Sequence, residues 1–575
     1  MNRALLILLS FTATLARASV DFATCINQVR NGTFGHVGGT DNKGNPVQNI
    51  SDATAVTYDL CLKACGAGAA PFVWNIFSQQ FSKSNSAWLL PFLALMAQLP
   101  FGATDKLDNV VAVLLSVGSP TLAAYSLALT VLNGHWIARR FSQLSYPNVR
   151  YAIQILSRLQ QTPIRIISDD ALLASLVVLP ENDKWWAKLV HDLEYTHTWT
   201  ISSVASILWV TVAFLFTVVD SFTGTIDSST LNANGQGVGS IYLWLLPIVI
   251  GWLLVGPKCD SFRLHHAVES VNELAFVATD KERPSPAQEV EVEFAISLKR
   301  HSGPVLRDEQ CSPPIYNYAR FLPWVQAVNE VFDVFEAAAY RANKHDSVDP
   351  EVLWQHVRSG KVQPNNRRGT RIQVEEYVRR REKNRSRWGP QVFSRFFVAS
   401  LLALMLTWST TGAAVIIVWF TPTVGLGCRS GAYVLYGAMS TIVWVMLVTS
   451  SALAHYSDHP TFIDEDDQPI YSTASRLAAN ISIVLRRLGK LLAAVNAVWI
   501  VLTCILQFVS FFDRCYCDSS VLGLGRFAYN VIDLVPGDIS TMKTAWGGAI
   551  LLAGGCSLLF LGWVKMFVDP PLPAE

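Results

Sequence analysis

The run RRGTRIQVEEYVRRREKNRSR, residues 367–387, carries nine basic residues (Arg367, Arg368, Arg371, Arg379, Arg380, Arg381, Lys383, Arg385 and Arg387) against three acidic ones (Glu375, Glu376 and Glu382). It closes a hydrophilic island, Lys258 to Pro390, and stands just before an apolar run that begins near Phe396. Positive charge beside a membrane segment stays with the cytosol. The island is therefore expected in the cytosol, and its placement orients every other segment. The fold class is all-α, a polytopic helical membrane protein.

Composition agrees. The 575 residues are 51% hydrophobic and only 15% charged, too apolar for a soluble chain of this length. The net charge of +1 conceals segregation, with charge in the loops and little in the apolar runs. Nucleic acid is not an expected partner, because the basic run has no interleaved aromatics of the strand-stacking kind. The lipid bilayer is, with anionic lipid against Arg379–Arg387.

Read in order, residues 1–19 form a signal peptide: Arg3, the apolar ALLILLSFTATLA, then the small residues of ARAS. A retained signal-anchor is the alternative. Residues 20–86 make an extracellular or lumenal segment with the sequons Asn31-Gly32-Thr33 and Asn49-Ile50-Ser51. The first membrane region, 87–257, holds apolar runs at 88–101, 110–132, 199–219 and 239–255, with a cytosolic amphipathic segment at 135–197. The insert 258–390 follows. The second membrane region, 391–567, holds runs at 396–420, 432–454, 491–512 and 546–567, and 568–575 form a cytosolic tail.

The early pair of runs poses a parity problem. If 88–101 and 110–132 both cross, Arg139 and Arg140 end up outside, against the charge rule. One full crossing plus one segment that enters and returns, or lies at the interface, resolves it. The interruption Gly118-Ser119-Pro120 suits the second role, since non-helical backbone at membrane depth survives only when buried in protein or facing a wet cavity. The expectation is seven crossings, with eight as the alternative.

Of ten cysteines, Cys25, Cys61, Cys65, Cys428, Cys515 and Cys517 fall in segments assigned outside, an even number that allows three disulfides of undetermined pairing. Cys515 and Cys517 are too close to bridge to each other comfortably, so each is expected to pair elsewhere. In the insert, Glu289 to Ile296 alternates like a half-exposed strand, Phe321 to Arg341 has helical periodicity, Asp349-Pro350 opens a short helix, and Arg371 to Ser394 runs on towards the next crossing.

Chemistry is thin. His455 and His459 lie four apart, with Asp458 between them, a spacing that puts two imidazoles on one helix face as weak metal candidates. No GxSxG elbow and no glycine-rich phosphate loop with lysine occurs, so no catalytic residue and no cofactor is assigned, and an enzyme is not expected. Apart from Arg395 and Lys565 near cytosolic edges, where long side chains snorkel, the crossings lack ionisable groups, which argues against a proton-coupled carrier. Gln98 and Asn133 are the candidate polar path.

The segments WLLPFLALMAQLPFG (88–102) and VGSPTLAAYSLALTVLNG (117–134), with FSQQF at 77–81, resemble an uncharacterised multi-pass membrane protein family of filamentous fungi, most closely over residues 60–260. The resemblance implies a fungal origin and a membrane location, and carries no activity. The leading expectation is passage of a small solute or ion across a membrane, with 88–134 as the broken-helix element. The alternative is a non-catalytic receptor or scaffold binding partners, including a cytosolic protein, through the outer surface and the insert. A membrane metalloenzyme using the His455/His459 region is third. A multi-pass glycoprotein of the secretory pathway, at the plasma membrane, is expected.

Glycosidase treatment of protein from secretory membranes should shift its mobility through glycans on Asn31 and Asn49, and Asn31→Gln/Asn49→Gln should abolish the shift. A glycan on Asn384 or Asn480 would reverse the assigned sidedness.

Overall fold

The computed structural model describes residues 17–18, 21–66, 70–71, 90–102, 106–195, 199–223, 241–281, 283–290, 293–298, 307–356, 362–379, 388–458, 462–463, 469–470, 472–508 and 512–573. Most of 1–19, and the sequence around FSQQF, lie outside them. The described chain is helical, with strands of only two or three residues. The principal helices are α1 (Leu90–Met96), α2 (Lys106–Gly118), α3 (Pro120–Phe141), α4 (Ile201–Thr223), α5 (Leu245–Val255), α6 (Ser261–Asn272), α7 (Asn317–Asn343), α8 (Val392–Trp419), α9 (Cys428–Ser457), α10 (Thr473–Phe508) and α11 (Pro536–Phe567).

Four of these, α8 to α11, are long and apolar enough to cross a membrane. Each extends beyond the apolar run read from sequence, because a helix continues through polar flanks once its apolar turns are docked. Their outward faces leave Phe393, Phe397, Leu401, Leu491, Leu551, Leu558 and Leu559 exposed, a belt that requires lipid in place of water. The chain is a helical membrane protein. The four alternate between two faces of the molecule. On one face lie the start of α9, the start of α11 and the residues after α10; on the other, α8 begins beside the insert and α9 ends there.

The first face is closed by a cap. Cys25–Cys65, Cys61–Cys515 and Cys428–Cys517 are disulfide-bonded, with Cα separations of 5.2, 5.8 and 4.9 Å. All six cysteines expected outside are thus used, and Cys515 and Cys517 each pair elsewhere. The cap also contains a three-stranded antiparallel sheet in which β2 (Ala55–Thr57) lies between β1 (Gly39–Thr40) and β3 (Tyr529–Val531). The N-terminal segment is therefore fastened to the loop between α10 and α11 both covalently and by strand pairing. Arg30 forms an ion pair with Asp533 across the same junction.

The interrupted pair α2–α3 bends by 103°. Its two far ends approach the insert: the Asp108 carbonyl accepts from the Tyr316 hydroxyl (3.3 Å), and Phe141 packs edge-on against Phe332 and Phe335 of α7. Its vertex reaches the middle of α9 and α10. There Asn496 donates to the Gly118 carbonyl (2.7 Å), the Tyr436 hydroxyl donates to the Val117 carbonyl (2.7 Å), and Ser119 donates to the Ser440 carbonyl (2.8 Å). Ser119 also caps α3 by accepting from the Leu122 amide (3.2 Å). The Val117 and Gly118 carbonyls released by the break thereby find side chains, as burial in an apolar medium demands.

Several expectations need correcting. Within the run at 239–255, the helix among the described residues covers Leu245 to Val255, less than the whole run, and is largely enclosed by protein. Of the stretch Glu289 to Ile296, expected to alternate as a strand, Ala287–Val290 is a 3-10 turn and, among the described residues, Ile296 pairs as strand, Ile296–Ser297 lying against Arg165–Ile166. Asp349-Pro350 makes a turn, not a helix. The helix from Arg371 ends at Tyr377, where three successive arginines follow, and α8 starts separately at Val392. The helical reading of Phe321–Arg341 holds inside α7, and Ile153, Ile155, Leu156 and Leu159 are buried as their spacing required. The sites around Arg380 to Arg387 lie outside the described residues, whereas Arg379 is exposed.

Gly118 is in backbone contact with α10: a Cβ there would collide with the Ala493 carbonyl. Gly118→Ala should therefore push α2 from α10 and lower stability by about 1–3 kcal/mol, read as a lower unfolding midpoint in nanodiscs.

Candidate functional site

The insert meets the long helices through a buried ionic cluster. A 3-10 turn over Arg307–Gln310 brings Asp308 and Glu309 against α10, where Arg486 and Lys490, one turn apart, share a face. Asp308 is almost fully buried and accepts from the Tyr318 hydroxyl (2.6 Å) and from Lys490, with Arg486 Nε at 3.9 Å. Arg486 Nη1 stands 3.8 Å from Glu309, and its Nε donates to the Ser450 hydroxyl of α9 (3.2 Å). Ser450 and Ser482 exchange hydroxyl-to-carbonyl bonds at 2.8 and 2.7 Å, fixing α9 beside α10 at this level. Three elements thus converge on one guanidinium. Removing a partner from a buried charge set leaves the remainder uncompensated, which makes such junctions stringent about alignment.

Burial pushes the Glu309 carboxyl up to about 7; Arg486 opposes this, while Asp458 and Asp308 reinforce it. Arg486 and Lys490 precede the apolar run at 491–512, whereas their acidic partner Asp308 lies 182 residues upstream of Lys490 in a stretch with no apolar pattern. The cluster was not legible from spacing alone.

A second buried charge was read differently from sequence. Arg395 does not snorkel to an edge. It is 5% exposed, donates to Asn133 Oδ1 (2.6 Å), and lies 3.9 Å from the centre of the Trp136 ring. Asn133 is thus a partner for a cation between α3 and α8. Gln98, the other residue of the candidate path, accepts from Ser203 (2.6 Å) and ties α1 to α4. Each is thus bonded to a different neighbouring element. Beside the bend, a space of about 20 Å³ lined by Leu99, Ser116, Ser126 and Trp252 has room for about one water, and neither Gln98 nor Asn133 reaches it.

The metal candidates stand as follows. His455 is buried, with its ring 5.4 Å from that of Trp388. Asp458 is the C-cap of α9, and His459 lies outside the described residues. Among the described residues, the group whose ligand atoms lie close enough for an ion is Cys61, Cys65 and Cys515, and all three sulfurs are engaged in disulfides. Asn31 and Asn49 are exposed on the cap, as glycan acceptors must be. Cys259 and Cys311 are buried on the insert side and form no disulfide.

Comparison with known proteins finds no matching family, no matching curated protein and no matching solved structure.

Because Glu309 is shifted above its ordinary value of 4.5, its contribution to folding is complete below about pH 4.5 and is lost as pH rises through about 7. Between pH 5 and 8 the wild type should lose up to about 3 kcal/mol more stability than Glu309→Gln, measured by thermal unfolding in nanodiscs. Parallel curves for the two proteins would refute the assignment.

Proposed function

We propose that this chain is a multi-pass, non-catalytic membrane receptor or scaffold that couples partners on its outer cap to partners on its cytosolic insert. One observation carries the reading. Helix α10 is held to the insert by Arg486 and Lys490, and the chain leaving its other end is joined to the N-terminal segment by Cys61–Cys515 and to the start of α9 by Cys428–Cys517. A single 36-residue helix thus links the two faces, with fixed attachments at both. Displacement at one end is transmitted because a helix flanked by packed neighbours moves as a body.

In this reading the chain crosses seven times: once before residue 102, by α4, by the segment containing α5, and by α8 to α11, with α2–α3 entering and returning. The cap faces outward in the secretory pathway and at the plasma membrane, and Arg379–Arg387 meet anionic lipid. The insert offers the surface for a cytosolic protein.

The 103° bend favours a second reading, passage of a small solute or ion, because interrupted helices at mid-depth are where carriers build their sites. Here the bend is closed by Asn496, Tyr436 and Ser440, so passage requires those bonds to part.

Proteoliposomes distinguish the two. With KCl, glycerol and glucose as osmolytes, shrinkage rates should equal those of protein-free vesicles, and a tenfold acceleration would replace the scaffold reading with passage. In cells, proximity labelling from the C-terminus should recover a defined set of cytosolic proteins. That set should vanish when residues 258–390 are deleted with membrane insertion retained.

A further inference from the structure

Two of the three cap disulfides stand against each other. Cys61 lies in the short helix Tyr58–Ala64 and Cys65, one turn on, is its C-cap. Cys61 is bridged to Cys515 and Cys65 to Cys25, and the sulfurs of Cys61, Cys65 and Cys515 all lie within 4.8 Å of one another. The Cys65 sulfur is therefore beside a disulfide to which it does not belong. Separated from Cys25, it needs only a small movement to reach the contact from which a thiolate attacks a disulfide.

Access differs among the four cysteines. Cys25, Cys61 and Cys515 are buried, whereas Cys65 is half-buried. A reductant from solution thus meets the Cys25–Cys65 bridge at Cys65, while Cys61–Cys515 is shielded from it. The surroundings also give the exchange a direction. Asn530 of β3, itself buried, aims its Nδ2 at the Cys61 sulfur (3.7 Å), so negative charge appearing on that atom finds a donor. The Gly66 carbonyl oxygen stands 3.7 Å from the Cys515 sulfur and would repel charge there. Cys61 is thus the better leaving group, and Cys515 is the sulfur to be attacked.

We propose that the cap contains a disulfide relay in which Cys65, once released from Cys25, takes over the bond to Cys515 and frees Cys61. A dithiol from solution attacks the Cys65 sulfur, and Cys25 leaves as a thiolate that takes up a proton. The second sulfur of the dithiol then closes on the first, so the reductant departs as a cyclic disulfide and Cys65 is released as a thiolate. That thiolate attacks the Cys515 sulfur. The Cys65–Cys515 bond forms, the Cys61–Cys515 bond breaks, and Cys61 takes up a proton. Two electrons pass from the dithiol to the protein, and one bridge is lost. The N-terminal segment stays joined to the loop between α10 and α11, but its anchor moves along by one helical turn, ~6 Å. The helix Phe22–Arg30 meanwhile loses its tie at Cys25. The relay concerns the cap alone, whatever the insert binds.

The full-length protein in nanodiscs tests this. It is treated with limiting dithiothreitol, trapped with acid, alkylated with N-ethylmaleimide in denaturant at low pH, and its disulfides are mapped by peptide mass spectrometry. A Cys65–Cys515 bridge with alkylated Cys25 and Cys61 is expected. Cys25→Ser, which leaves Cys65 without its partner, should give the same bridge and alkylated Cys61 with no reductant added. Asn530→Ala should slow the transfer by about threefold or more. Cys61–Cys515 persisting beside free Cys25 and Cys65, a Cys61–Cys65 bridge, or loss of both bridges together overturns the proposal. If Cys25→Ser does not fold, the map of the dithiol-treated wild type decides alone.

Discussion

Backbone polar groups released within an apolar medium must find partners inside the protein, and at Gly118–Ser119 this constraint organises the molecule. The helix is interrupted where water cannot replace the lost ladder. Its carbonyls are taken up by Asn496 from α10 and Tyr436 from α9, and Ser119 bonds α9 in turn. These side chains compel α9 and α10 to lie together against the vertex. The absence of a Cβ at Gly118 brings α2 and α10 into backbone contact at that point. The same bonds that make the bend tolerable join the early half of the chain to the late half.

Polarity elsewhere in the helical region follows the same rule. Arg395 is enclosed by Trp136 and Asn133, and Gln98 accepts from Ser203, so these polar groups join one element to another. An isolated asparagine or glutamine in an apolar run says only that a partner must exist. Whether that partner is another helix or a solute depends on what stands opposite, and here helices do.

At the two faces the fastening changes character with the surroundings. The cap uses disulfides and a small sheet, since a short polar segment cannot bury enough apolar area to hold itself against helix ends. The insert uses apolar packing of α7 beneath α3 and an ionic cluster around Arg486, where Glu309 sits close to its point of protonation. The attachment at the insert therefore responds to pH, and the cap holds a titrating group of its own, Asp518, whose carboxyl burial pushes up to about 8 against the opposing charge of Arg429.

Much of this was written along the chain. Hydropathy located α8 to α11, and the Gly118-Ser119-Pro120 interruption marked the point where α2 and α3 bend by 103°, because apolar length and helix-breaking residues act locally on whichever segment carries them. The even set of six cysteines was likewise countable. Tertiary structure decided the rest: that Cys61 meets Cys515 from 454 residues away, that Asp308 finds Lys490, and that Arg395 turns inward to Asn133. Pairings of this kind depend on which surfaces pack together, and no periodicity within a single segment records its partner.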